Sequence, residues 1–257
     1  MNVIYTTDGS FEGLLSGVYD SWYRREDNVL NILPGMPAQP DFLIMYKPVK
    51  TNEAKAEKVF DAIVNKITED AARRVMLCWS SEQQDAGRMI INYLRFGFAH
   101  GPSTEEMVTN KYVKPLHDAC KRVGFEAHRF TGLLRFHRTR QGLYCAIIEP
   151  QYYILPLLAE HFADRMPDVG WLIYDKSREL SAAYENGTWS IVPGRLMDTM
   201  KLHDEEDDYQ QLWRRYFDSM AIENRLNPNL QRSFMPKKYW KHLVESPGGA
   251  LARHLTK

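Results

Sequence analysis

The spacing of apolar residues changes near Gly124, and this change limits the folds open to the chain. Between Asn52 and Gly124 the apolar residues recur at helical spacing, and Ala54, Val59, Ile63 and Ile67 define one amphipathic face. Ser81 can cap a helix running to Gly97. Ser103 followed by Glu106 has the form of a capping box for a helix toward Cys120, with Gly124 as its stop. Beyond Gly124 the period shortens to that of strands. In the stretch from Phe130 to His137, Leu134 and Phe136 alternate with Arg135 and His137. Gln141-Gly142 marks a turn, and Leu143 to Ile148 reads as the return strand. A helix from Gln151 to Arg165 carries Leu155, Leu158 and Phe162 on one stripe, and Trp171 to Tyr174 forms the next strand. Leu180–Tyr184 and Trp189–Val192 flank Glu185-Asn186-Gly187-Thr188, a hairpin signal.

The expected fold is therefore α+β. A helical N-terminal half packs with a mostly antiparallel sheet of order β-β-α-β-β-β, and a C-terminal helix runs from about Asp204 to Asn224. The chain forms one α+β domain over residues 1–257, or two subdomains meeting near Gly124: residues 1–124, mainly helical, and residues 125–257, holding the sheet and the C-terminal elements. The start of the chain reads strand–turn–helix. Val3 to Thr6 is the strand, Asp8-Gly9-Ser10 the turn, and Phe11 to Tyr23 the helix, with Asp8 or Ser10 as its cap. Residues 31–41 contain Pro34, Gly35, Pro37 and Pro40 and read as a loop, and Phe42 to Lys47 as a short strand.

Charge narrows the function classes. Lysine and arginine number 33 and aspartate and glutamate 33, so the chain has no net charge, and any nucleic-acid contact must be a local patch. The stretch RLNPNLQRSFMPKKYWKH from Arg225 to His242 is such a patch. It holds Arg225, Arg232, Lys237, Lys238 and Lys241, with no acidic residue between Glu223 and Glu245. Phe234, Tyr239 and Trp240 are interleaved with these cations, a pattern suited to a phosphate backbone with unstacked bases. The same composition also fits a tail that buries its aromatics and leaves its lysines in water. Phe234 and Trp240 are expected to anchor the segment, with Tyr239 available to stack on a base. Arg129, Arg135, His137, Arg138 and Arg140 cluster on the first hairpin. They could extend a nucleic-acid groove or simply guard a sheet edge.

Other chemistry is less well marked. Glu149 and Asp175 sit near strand ends and His161 on the intervening helix. This trio could serve proton transfer or metal binding, or be ordinary structural polar residues. Asp204-Glu205-Glu206-Asp207-Asp208 could hold a metal, and equally fits the acidic first turn of a helix. Asp8-Gly9-Ser10 lacks the glycine pattern of a nucleotide-binding loop. No metal or other cofactor is expected. Cys78, Cys120 and Cys145 are widely spaced and form no Cys-x-x-Cys pair, so they read as small core hydrophobes in a reduced cytoplasmic compartment. No signal peptide and no membrane span is legible.

Several segments together carry a family resemblance. They are Tyr5-Thr6-Thr7-Asp8-Gly9-Ser10-Phe11-Glu12-Gly13; Arg135-Phe136 with Tyr144-Cys145-Ala146 and Ile148-Glu149-Pro150; Ile154 through Phe162; Trp171 through Asp175 with Arg178; and Ala221-Ile222-Glu223-Asn224-Arg225 through Asn227-Pro228 to Phe234, Pro236, Tyr239 and Trp240. In these the chain resembles the bacterial "probable DNA metabolism protein" family, a domain of unknown function. Members are encoded beside a radical-SAM protein associated with DNA modification or repair, and some are fused to a uracil-DNA-glycosylase-like domain. The resemblance implies DNA and the radical-SAM protein as partners. It supplies no reaction and no catalytic residues. This chain has neither the glycosylase-like extension nor the cysteine spacing of a radical-SAM cluster, so the resemblance points to the stand-alone partner.

Three functions remain open from the sequence. The first is an accessory nucleic-acid-binding protein in DNA modification or repair. The second is an enzyme acting on nucleic acid or a nucleotide through Glu149, His161 and Asp175. The third is a scaffold that binds only protein.

Overall fold

The computed structural model describes residues 2–23, 28–139, 142–194 and Tyr239. The fold is α+β, and the chain divides into two compact units, residues 1–124 and 125–257. The expected helix at 204–224, the acidic run at 204–208, Arg140 and the segment 225–242 other than Tyr239 lie outside the described residues.

In the first unit, β1 (Asn2–Thr7) is the centre of a three-stranded sheet. It pairs in parallel with β2 (Val29–Pro34) on one side and with β3 (Ile44–Pro48) on the other. Every β1 residue after Asn2 is buried, and its run Val3-Ile4-Tyr5 does not alternate with polar residues, as suits a strand covered on both faces. Helix α1 (Phe11–Tyr23) links β1 to β2 and packs on α2 (Glu53–Lys66). Helices α3 (Glu69–Ser80) and α4 (Ala86–His100) follow, and α4 lies against β2. That approach is close because residue 87 is glycine. A Cβ there would fall 2.2 Å from the Ile32 carbonyl oxygen. Asn52 and Thr68 cap α2 and α3 by accepting from the Lys55 and Ala71 N–H groups. The core gathers Tyr5, Ile63, Ile90, Tyr93, Leu94 and Leu116, none of them exposed.

The first unit is mainly helical, as expected, and its sheet adds β2 to the two strands legible in the sequence. β2 covers residues assigned to a loop, and Pro34 is its last residue, at the sheet edge, where a missing N–H costs no ladder bond. Ala54 is exposed, and Ala56 takes its place beside Val59 and Ile63 on the buried face. Ser81 is the C-cap of α3 rather than a cap for α4. No capping box forms at Ser103: residues 101–106 make a short 3-10 helix, and the Ser103 hydroxyl donates to the His100 carbonyl.

Helix α5 (Lys114–Leu133) runs through Gly124, which does not stop it. Leu116, Ala119, Val123, Ala127 and Phe130 are buried at helical spacing, and this stripe outweighs the cost of one glycine. The strand expected from Phe130 therefore shrinks to β4 (His137–Arg138), and Arg135 lies outside it. In the second unit, β4 pairs antiparallel with β5 (Tyr144–Ile148), and β5 pairs in parallel with β6 (Trp171–Asp175) across helix α6 (Leu155–Arg165). β7 (Leu180–Glu185) and β8 (Thr188–Pro193) complete a sheet of order β4-β5-β6-β7-β8. The β7–β8 turn has Asn186 at φ 53 and Gly187 at φ 84, the conformation expected of Asn-Gly in a tight hairpin. Trp171 is fully buried and stacks on Tyr184 with ring centroids 5.1 Å apart.

Candidate functional site

Both units contain a parallel β-α-β crossover, and the polar chemistry gathers at the carboxyl ends of those strands. In the second unit these ends are occupied by the chain's own charges. Glu126 on α5 is 3 % exposed and accepts from the Gln151 and Tyr152 backbone N–H groups at 3.1 and 2.8 Å. Tyr239 donates its hydroxyl to the same carboxylate at 2.6 Å and meets Phe130 edge-on at 5.1 Å. Burial and the Glu126 bond both push the Tyr239 phenol pKa up. Arg178 holds the other side of the loop. Its guanidinium donates to the carbonyls of Pro150 and Gln151 at 3.4 and 3.1 Å and to Asp175 at 2.8 Å. The loop after β5 is thus held by its N–H groups through Glu126 and by its carbonyls through Arg178.

This geometry bears on the Glu149, His161 and Asp175 trio. Asp175 is fully buried, and its carboxylate is committed to Arg178 and to the Ser177 N–H. Burial pushes its pKa above the ordinary carboxylate value, and Arg178 partly offsets that rise. Glu149 follows Ile148, the register partner of Asp175, and lies 3.9 Å from the Lys176 ammonium. His161 is six residues into α6, about 9 Å along the axis, on a helix that returns toward the amino ends of the strands. No hydrogen bond or ion pair among the described residues joins His161 to either carboxylate. No three His, Cys, Asp or Glu side chains among them could hold a metal ion.

The proposed nucleic-acid residues are only partly described. Arg138 is exposed on β4, and Arg135 donates to the Gly132 and Leu134 carbonyls at the end of α5. Tyr239 is 6 % exposed, so its ring is an anchor rather than an open stacking face. Arg225, Arg232, Phe234, Lys237, Lys238, Trp240 and Lys241 lie outside the described residues. All three cysteines are free and buried, and burial raises each thiol, Cys145 to about 11, so none is poised as a thiolate nucleophile. No helix among the described residues is long and apolar enough to cross a membrane.

In the first unit the carboxyl ends of β1 and β2 border a cavity of about 410 Å³. Leu14, Leu33, Pro34, Met36 and Trp79 form its apolar walls, and Ser10, Glu82, Gln83 and Gln84 supply polar groups. Trp79 is fixed by donating its indole N–H to the Gly9 carbonyl at 3.2 Å. The Ser10 hydroxyl accepts from the Gly13 N–H and caps α1. Asp8 accepts from the Ser10 N–H and hydroxyl and, at 2.7 Å, from the Thr51 hydroxyl. These bonds, that of the Ser10 hydroxyl foremost, hold its pKa below the ordinary value. The carboxylate needs a glycine at residue 13, because a Cβ there would lie 2.4 Å from it.

Sequence reasoning missed Glu126, Trp79 and Gln83. An acid set between Val123, Ala127 and Phe130 on an apolar helix stripe was the available signal for Glu126. Nothing local marked Trp79 or Gln83, which the α3–α4 junction brings to the cavity. No curated protein matches the chain. Residues 84–245 match the family model for DUF4130, a domain of unknown function, and since the match spans more than half of the 257 residues, the chain belongs to that family.

Proposed function

We propose that this is an accessory nucleic-acid-binding protein in DNA modification or repair, acting in the bacterial cytoplasm with a radical-SAM partner. The observation that carries this reading is the docking of Tyr239 on Glu126. It ties the most basic, aromatic-rich segment of an otherwise neutral chain to the unit bearing Arg135, His137 and Arg138. The cations flanking Tyr239 in sequence serve phosphates, and Trp240 replaces Tyr239 as the ring offered to a base. DNA and the radical-SAM protein as partners follow from the family resemblance. The enzyme reading through Glu149, His161 and Asp175 has less support, because Asp175 is already committed to Arg178.

Salt dependence tests the reading. Each lost phosphate contact to a single strand flattens the log–log slope of affinity against salt by about 0.7. Lys237→Ala/Lys238→Ala should therefore give a slope shallower by about 1.4 than the native protein, whatever the sequence of the strand. Native protein that binds neither single- nor double-stranded DNA at low salt would refute the proposal.

A further inference from the structure

We infer that the cavity at the carboxyl ends of β1 and β2 binds an uncharged nucleobase, presented as a nucleoside without phosphate. Its volume of about 410 Å³ lies within the small-molecule range of about 300–1,000 Å³, and suits one base with its sugar rather than a dinucleotide. The walls are apolar, and Trp79 contributes a flat aromatic surface. Because its indole N–H is spent on Gly9, Trp79 offers the ligand its π-face and no hydrogen bond.

Charge sets the ligand class. The start of a helix ordinarily favours an anion, yet at α1 the chain's own Asp8 carboxylate already fills that role. Ser10 and Thr51 keep Asp8 ionised between the lining residues Thr7 and Gly9, and Glu82 lines the cavity itself. No lysine or arginine among the described residues lines the cavity. Among the described lining residues a phosphate would meet the Glu82 carboxylate and no lysine or arginine.

Gln83 supplies the specific polar partner. Its Oε1 accepts from Arg122 at 3.0 Å, which orients the amide, and its Nε2 is buried with no hydrogen-bond partner. A buried donor left unpaired is costly; turning the amide into the cavity, which Gln83 lines, would bring it to a ring carbonyl or ring nitrogen of a base. Glu82 adds an independent sign: it holds φ 49 at the turn after α3, a left-handed conformation that a residue with a side chain adopts at a cost. Thr7, Gly9, Trp79 and Gln83 all precede residue 84, so most of this cavity lies outside the stretch matched by the family model. The inference does not rest on the DNA-binding role of the C-terminal segment.

The test titrates the native protein with adenosine, guanosine, cytidine and thymidine, and with their 5′-monophosphates, following the Trp79 indole N–H resonance and measuring affinity by calorimetry. At least one nucleoside should bind saturably, with its 5′-monophosphate at least about ten-fold weaker from like-charge repulsion. Gln83→Met, which leaves the α1 cap untouched, should weaken the nucleoside about five-fold. Asp8→Asn should narrow the gap between nucleoside and monophosphate; if it fails to fold, the native and Gln83→Met measurements decide. No saturable nucleoside binding into the millimolar range would overturn the inference. So would monophosphates binding as tightly as nucleosides, or an unchanged affinity in Gln83→Met. DNA binding by Lys237 and Lys238 is a separate readout, so either proposal can fail alone.

Discussion

The two units treat the same topological position in opposite ways. In each, a strand, a helix and a second strand run in parallel order, leaving a crevice at the carboxyl ends, where ligands commonly bind in open α/β sheets. The second unit fills its crevice with Glu126, Asp175, Arg178 and Tyr239, each satisfied by another group of the chain. The first unit spends its polar groups beside the crevice, on the α1 cap and the Asp8–Thr51 bond, and keeps a cavity between apolar walls. The difference teaches that a carboxylate at a strand end is weak evidence for catalysis. What matters is whether its lone pairs are already taken.

The sharpest way to break this comparison is to unpair the second unit. Asp175→Ala removes the fully buried carboxylate that the Arg178 guanidinium, whose side chain is 13 % exposed, binds at 2.8 Å. Removing one partner of a buried pair costs about 3–5 kcal/mol, read as a fall in the urea midpoint of the second unit. A loss below 1 kcal/mol, on the order of an exposed ion pair, would mean that the crevice is not sealed by this pair. Tyr239→Phe is the next largest. It deletes one donor to the buried Glu126 carboxylate, and should cost about 1.5–3 kcal/mol, the range for a hydrogen bond to a charged group. An unchanged midpoint would detach Tyr239 from the fold and with it the tether proposed for the basic segment.

Glu82→Gly probes the first unit and should act in the other direction. Relieving φ 49 should stabilise it by about 1 kcal/mol, while removing a carboxylate from the cavity. Destabilisation would show that the Glu82 side chain makes a contact worth more than its strain. The smallest effect is electrostatic. Asp8 should titrate below 3.8 and Asp175 above it, as read from their carboxyl ¹³C shifts. The stability consequences oppose each other. The contribution of Asp8 is present above 3.8 and is lost as pH falls through its lower native value. Asp175 binds its proton more tightly folded than unfolded, so folding weakens as pH climbs from 3.8 through its raised native value. Coincident titrations would erase the contrast between the two carboxyl ends.

Much of the fold was legible because local pattern and tertiary packing agree. Phe11–Tyr23, Trp171–Asp175 and the Asn186-Gly187 hairpin appear where periodicity and turn chemistry put them. Legibility failed where one residue type carried two meanings. Gly124 resembles a stop, yet the buried stripe from Leu116 to Phe130 holds the helix through it. Pro34 resembles a loop marker, yet it ends an edge strand that tolerates it. The sites were harder still. Glu126 meets Tyr239 across 113 residues of sequence, and Trp79 meets Gly9 across 70, separations that no local window spans.

The central claim is that ligand chemistry is divided between the basic segment and the first unit's cavity, while the second unit's strand ends are closed. Amide and indole chemical-shift mapping tests it most directly, with one titration of a short single-stranded oligonucleotide and one of a nucleoside. The oligonucleotide should perturb residues 225–242 together with 135–138, and the nucleoside should perturb Gly9, Gly35, Gln83 and Trp79. Perturbation by the nucleoside centred on Gln151, Tyr152 and Arg178, with Trp79 unmoved, would contradict the account.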